Sequence, residues 1–285
     1  MRAFFREISP YNAEMLDVSR EEEDKAGPTL VRPFELVNPA GDPSVLLICD
    51  HASNALPPRY GTLGLPHTEF HRHIAYDIGA AEVTRALAAH MGCPAVLAGF
   101  SRLLIDPNRG EDDPTLVMKL SDGAVVPANR DVDGFRDRAE LERRLAQCYR
   151  PYHDAIAGMV RRAGAEGVVP SILSIHSFTP VWRGQKRRWH MGVLWDQDDR
   201  IAAPLIARLR AQDGLVVGDN EPYSGVLQGD TLYRHGTMNG LPHGLLEIRQ
   251  DLIDGHEGQM TWARLIADCA ADILRDPDVR TVRSY

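Results

Sequence analysis

Nowhere in the 285 residues does an apolar run approach the roughly 20 needed to cross a bilayer as a helix. The opening stretch MRAFFREISPYNAEM also lacks the apolar core of a secretory signal, so a cytoplasmic location without a membrane partner is expected. Cysteine is sparse: Cys49, Cys93, Cys148 and Cys269 are scattered, with no CxxC pair among them. That spacing argues against a disulfide framework or a structural zinc knot and for buried thiols packed as small hydrophobes. Basic residues are outnumbered, 32 Lys and Arg against 40 Asp and Glu, and the net charge of −8 leaves no general footprint for nucleic acid. A local positive pocket for an anionic substrate remains compatible with it. The absence of a G-x-S-x-G elbow disfavours a serine hydrolase.

What is present suits a soluble globular chain. Apolar content of 44% and charged content of 25% are ordinary, and the length allows one domain with a sizeable core. Val45-Leu-Leu-Ile-Cys49 is a short continuous apolar run leading into Asp50 and His51. Such a run suits a strand buried on both faces, and the polar residues then fall at its C-terminal end, where open α/β sheets bind ligands. Ser171–Phe178 repeats the design around His176, and Gly244–Arg249 offers Glu247 in a similar setting.

Further strands are expected near 94–100, 191–195 and 214–218. Helical spacing marks 78–91, 136–162, 201–209 and 259–275, with Pro151 expected to kink or divide the long one. Gly, Asp and Pro in 111–134 predict a surface excursion. Strands alternating with helices imply an α/β fold: a single domain over 36–285 with a mixed, mostly parallel central sheet and helices on both faces. The charged stretch 1–35 reads as an N-terminal extension.

The candidate chemistry begins with histidine. A catalytic zinc takes three protein ligands and leaves a position for water, and His51 and His176 form the preferred pair. Asn54 stands where the common HxxE spacing would put a glutamate. Asp77 is the substitute third ligand, with helix N-capping as its competing role and Gly79 allowing a close turn. His71 and His73 are an alternative pair, while His235 is expected at the surface and His153, His190, His243 and His256 carry no suggestive context. Glu247 lies among Leu245, Leu246 and Ile248, so it should be paired, with Arg249 as the neighbour, or have a raised pKa suited to a general base. The run Ser101–Arg109 places Arg102, Asp106, Asn108 and Arg109 after a strand, a set able to grip a carboxylate. Asn220–Gly225 is a second polar turn, and Lys186-Arg187-Arg188 reads as a solvated basic loop.

Together, His51-x-Ser53, Asp77, the Ser-Arg-x-x-Ile-Asp-x-Asn-Arg run, Ser-Ile-His176-Ser, Pro222-Tyr-Ser-Gly225 and Glu247-Ile-Arg249 resemble the N-formylglutamate amidohydrolase family. That family is related to zinc carboxypeptidases and aspartoacylase-type deacylases. The resemblance runs from about Val45 to Leu274. It implies a zinc-carboxypeptidase-like (phosphorylase/hydrolase-like) fold and one zinc ion held by His51, His176 and Asp77. It further implies Glu247 as general acid/base, Arg102 at the oxyanion, and Asn108 and Arg109 on the substrate carboxylate, with Tyr223 and Ser224 as further substrate contacts. The expected reaction is hydrolysis of a small acidic N-acyl, foremost N-formyl, amino acid such as N-formyl-L-glutamate. Two departures bear on substrate identity: Asp50-His-Ala-Ser-Asn54 replaces the family's Pro-His-Ser-Gly, and Asp-Pro-Asn-Arg replaces Asp-Leu-Asn-Arg. A zinc peptidase or amidase on the same scaffold and a non-catalytic acidic-metabolite-binding protein are the alternatives. The oligomeric state is left open.

Overall fold

The structure, a computed structural model, describes residues 31–285. Its strands are β1 (Phe34–Val37), β2 (Val45–Cys49), β3 (Ala95–Ala98), β4 (Leu120–Ser121), β5 (Ala124–Val125), β6 (Ser171–Phe178), β7 (Val181–Trp182), β8 (Gln185–Lys186), β9 (Met191–Leu194), β10 (Val217–Asp219) and β11 (His243–Arg249). The helices are α1 (Ala80–Met91), α2 (Arg138–Arg144), α3 (Arg150–Ala165), α4 (Ala202–Arg210), α5 (Thr231–His235) and α6 (His256–Arg275).

Side-chain alternation in the central strands sets the layers. In β2, Val45, Leu47 and Cys49 enter one apolar cluster with Leu87, Ile266 and Ala270, while Leu46 and Ile48 enter another with Phe100, Tyr152 and Ile156. Both faces of the strand are therefore covered, α1, α4 and α6 contributing to the first cluster and α3 to the second. This is why the strand reads as an unbroken apolar run rather than an alternating one.

Seven strands form the sheet in the order β1-β3-β2-β6-β11-β9-β10. β3, β2, β6 and β11 are mutually parallel, β1 and β9 run antiparallel to their neighbours β3 and β11, and β10 is parallel to β9. The fold is thus a single α/β domain with a mixed, mostly parallel sheet. From β2 the chain crosses to β3 on one side, then returns to β6 on the other, so the order reverses between β2 and β6. Crevices at such reversals, outside the carboxyl ends of the strands, are where open sheets bind ligands.

Val31–Tyr285 is one compact unit. The extension expected over 1–35 lies, for residues 1–30, outside the described residues, and Phe34 and Glu35 belong to β1. The expected helix over 136–162 is divided: α2 and α3 are joined by a π-helical turn at Leu145–Tyr149, and Pro151 occupies the first turn of α3. At that position its missing N–H would have had no partner within α3 itself. All four cysteines are free and buried. Among the described residues no helix is long and apolar enough to cross a membrane.

Candidate active site

His51 directly follows β2, His176 lies near the C-terminal end of β6, and Glu247 lies near that of β11. The parallel register puts Glu247 opposite His176, and period two sends both to the sheet face that carries α3. Asp77 reaches the group from the loop before α1. Its amide donates to the His51 carbonyl at 2.9 Å, and the chain then turns at Gly79, whose φ of +79° a side chain would strain. A Cβ at Gly79 would also lie 2.2 Å from the Ile253 carbonyl oxygen, so only glycine lets Asp77 stand there. Gly79 is itself the cap residue of α1, which leaves the Asp77 carboxylate free of the capping role.

That carboxylate meets both imidazoles: Asp77 Oδ2 is 2.8 Å from His176 Nδ1 and 3.4 Å from His51 Nδ1. The three donor atoms lie within 4.8 Å of one another, all on buried residues. The far nitrogens are held by two more buried acids. His51 Nε2 is 2.7 Å from Asp106 and His176 Nε2 is 3.0 Å from Asp50. Asp50 is fixed in turn by Tyr152, Ser174 and Thr231. A carboxylate behind each imidazole accepts the Nε2–H and turns Nδ1 inward, the orientation in which histidine is presented to a metal, although His176 Nδ1 here also donates to Asp77. Arg102 Nη1 donates to His51 Nδ1 at 3.1 Å, so that nitrogen is an acceptor.

The electrostatics follow from this packing. Burial disfavours the charged imidazole of His176, yet its bonds to Asp50 and Asp77 outweigh burial and raise its pKa well above the usual value. Burial would raise Asp50 and Asp77, but the two histidines hold both carboxyls below the ordinary range. Glu247 behaves oppositely: burial, helped by the charge of Asp77 and opposed by His176, His51 and Arg102, lifts its carboxyl to about 7. Its Oε2 is buried with no hydrogen-bond partner. Four carboxylates, Asp50, Asp77, Asp106 and Glu247, thus converge where the Arg102 guanidinium and the His176 imidazole supply positive charge. Two inward-facing Nδ1 atoms, a carboxylate shared between them and an orphaned carboxylate oxygen nearby are a donor set that fits a divalent cation, which would displace the proton on His176 Nδ1.

One cavity of about 380 Å³ joins these groups to the remaining expected residues. His51, Asp77, His176, Glu247, Arg102, Asn108, Arg109, Tyr223 and Ser224 all line it. Its size falls within the roughly 300–1,000 Å³ of small-molecule sites. The loop 101–109 is gripped from behind by the helical segment around the π-turn. Arg144 donates to the Leu104 carbonyl, Tyr149 to that of Arg109, and His153 to that of Pro107. Turns of the π type recur at functional sites. Asn220 closes the second turn by accepting from the Trp195 and Gly225 amides, and that turn carries Tyr223 and Ser224.

Several expectations are corrected. Arg249 pairs with Asp251 at 2.7 Å rather than with Glu247, because the strand ends there and its side chain turns to the following segment. His235 is buried, not exposed: it bonds His153 at 3.0 Å, and burial pushes its pKa down to about 3. Burial likewise lowers His153, so the pair is neutral. Arg187 is not simply solvated but lies over the rings of Phe178, Trp182 and Tyr223. Asn54 donates to the Phe70 carbonyl, and of the alternative pair only His73 lines the cavity. Asp50, Thr231 and Asp230 were not singled out. Asp50 directly precedes His51, which was a readable signal, whereas Asp230 and Thr231 belong to a segment with no motif of its own.

A strand-end cluster of His51, Asp77 and His176, beside the unpartnered Glu247 and opening on an arginine-lined cavity, has the donor set and the carboxylate that suit a hydrolase. A family model described as N-formylglutamate amidohydrolase matches residues 43–254. The chain belongs to that family, and with it to the hydrolases that act on an amide. It is 25% identical over 239 residues to an N-formylglutamate deformylase of Pseudomonas aeruginosa, covering 75% of this chain and 89% of the relative. A crystal structure of a gene product from Agrobacterium tumefaciens superposes with a TM-score of 0.81 at 34% identity, covering 86% of this chain and 95% of the other. The crystal structure of an N-formylglutamate amidohydrolase from Ralstonia eutropha JMP134 shares the fold, with a TM-score of 0.55 at 22% identity over 86% and 98% of the two chains.

Proposed function

We propose that the protein hydrolyses the amide of N-formyl-L-glutamate, or of a closely related N-formyl acidic amino acid, to formate and the free amino acid. The observation that carries this reading is Glu247 Oε2, without a partner among the described residues, beside the His51–Asp77–His176 group in a cavity that also holds both arginines of the 101–109 loop. His51, Asp77 and His176 would hold one zinc ion. Zinc there would supply a Lewis acid for the amide carbonyl and lower the pKa of water to roughly 7.

The chain's own groups do the rest. Glu247, lifted to about 7, takes the proton of the attacking water and returns it to the departing amine. Arg102, held by Asp106 at 2.7 Å, presents its Nη1 beside the same group and stabilises the charge that develops on the carbonyl oxygen. Arg109 and Asn108 hold the substrate α-carboxylate, with the hydroxyls of Tyr223 and Ser224 as further contacts. Among the described residues Arg109 has no carboxylate partner, so its charge is available to an anion. The catalytic unit takes in β1 and so begins before residue 36, because Phe34 and Glu35 pair with β3 in the central sheet.

The test is formate release from N-formyl-L-glutamate by metal-stripped protein, before and after one equivalent of zinc. Activity that returns with zinc is the expected result. Protein that binds zinc and releases no formate overturns the substrate, and protein that binds no zinc overturns the metal site.

A further inference from the structure

Arg187 packs against two residues that line the same cavity, in an arrangement that the hydrolytic reading leaves without a role. Its guanidinium carbon lies 4.9 Å from the ring centre of Tyr223 and 5.4 Å from those of Phe178 and Trp182. Nη1 donates to the Tyr223 hydroxyl at 2.8 Å. Phe178 and Tyr223 both line the cavity, so the guanidinium is pinned against its wall. The backbone fixes it as well: the Arg187 amide donates to the Pro180 carbonyl, closing the β7–β8 hairpin, and its own carbonyl accepts from Arg249.

Two features make this more than a packed surface arginine. First, among the described residues no carboxylate pairs with it, whereas neighbouring Arg188 pairs with Glu221 and Arg249 with Asp251. Arginine stacked on rings keeps its donor edge free, and a fork held in place loses little freedom when it takes a carboxylate. Second, Thr179, between Phe178 and Pro180, has a buried hydroxyl with no hydrogen-bond partner, and Thr179 lines the cavity. A buried hydroxyl left unpaired is costly, and a ligand oxygen would satisfy it.

We propose that Arg187, with the hydroxyls of Thr179 and Tyr223, forms a subsite for a second carboxylate, so that the enzyme selects N-formyl amino acids with an acidic side chain. The inference rests on the proposed reaction. Arg109, which lines the cavity, and Arg187, which packs on its wall, are then two cations without a carboxylate partner among the described residues, matched to the two carboxylates of a dianionic substrate. A neutral side chain would leave the Arg187 charge unanswered.

Zinc-loaded wild type and Arg187→Met are compared on N-formyl-L-glutamate and its neutral isostere N-formyl-L-glutamine. The expected result is a roughly 10- to 100-fold loss of kcat/KM for the glutamate compound, the scale of a lost charged hydrogen bond, with less than about a threefold change for the glutamine compound. Equal losses on both, or no loss on either, overturn the subsite. Calorimetric titration with glutarate and butyrate keeps the two readings apart. A glutarate preference that Arg187→Met erases, in protein that releases no formate, sinks the reaction and supports the subsite. Absence of that preference in wild type, or its survival in the variant, overturns the subsite whatever the activity.

Discussion

Two buried ionic groups in this protein have similar chemistry and opposite character. In the first, Arg200 and Asp198 are both buried. Nε and Nη2 of Arg200 grip the two carboxylate oxygens at 2.8 and 2.6 Å, and the remaining donors go to the Val279, Thr281 and Gly240 carbonyls. No nitrogen or oxygen of that pair is left without a partner. In the second, at the ends of β2, β6 and β11, Glu247 Oε2 and Arg102 Nε are buried and unpartnered. The closed group ties residues 279–281 to the turn at Gly240 and has nothing to offer a ligand. The open one retains the unmet capacity that a cation, water or substrate can use. Burial is common to both, so satisfaction of the polar atoms is what separates a staple from a site.

The largest break in this contrast should come from Glu247→Gln in the open group. It keeps the shape and removes the proposed base, so kcat should fall by roughly 10²–10⁴-fold while bound metal is retained. Formate release measured alongside metal content checks it, and near wild-type kcat with metal present takes Glu247 out of proton transfer.

Arg200→Ala attacks the closed group instead. Leaving Asp198 buried and unpaired should cost about 3–5 kcal/mol in urea unfolding, with kcat of the folded protein nearly unchanged. Full stability with lost activity would show that the two groups act as one.

A smaller effect, and a pH-dependent one, is expected at Asp230. This cavity residue caps α5 by accepting from the Tyr233 amide, and burial, with help from Asp50, raises its carboxyl from 3.8 to about 7. The raised pKa favours the folded state while the group is protonated, and that contribution is lost as pH climbs through about 7. Asn keeps the cap and cannot ionise. Asp230→Asn should therefore gain stability relative to wild type between about pH 4 and pH 8, reaching roughly 2–4 kcal/mol at the upper end. A difference that stays flat across that range would mean Asp230 remains ionised throughout.

Much of the site was readable because its residues sit where a local pattern ends. An apolar run that stops at Asp50-His51, another interrupted by His176, and an acid among leucines and isoleucines at Glu247 are visible without a fold. The 101–109 run was visible for the same reason, as a polar cluster after a strand. The failures were of another kind. Arg249 was assigned to Glu247 from period two, but the end of β11 redirected it to Asp251. His235 looked like a surface residue because α5 is a five-residue helix whose burial depends on α3 lying over it, through His153. Arg187 read as part of a basic loop, since nothing local says that Phe178 and Tyr223 will lie against it.

The sequence by itself determined the class of fold, the strand ends that carry polar residues, and the residue types found there, because hydrophobic period and its interruption are local properties. Tertiary structure alone decided which acids stand behind which histidines, that Asp77 turns inward, and that Arg109 and Arg187 have no carboxylate partner among the described residues. These are consequences of the β2–β6–β11 register and of loops meeting across it, and partners some 25 to 125 residues apart in the chain leave no local trace of their pairing.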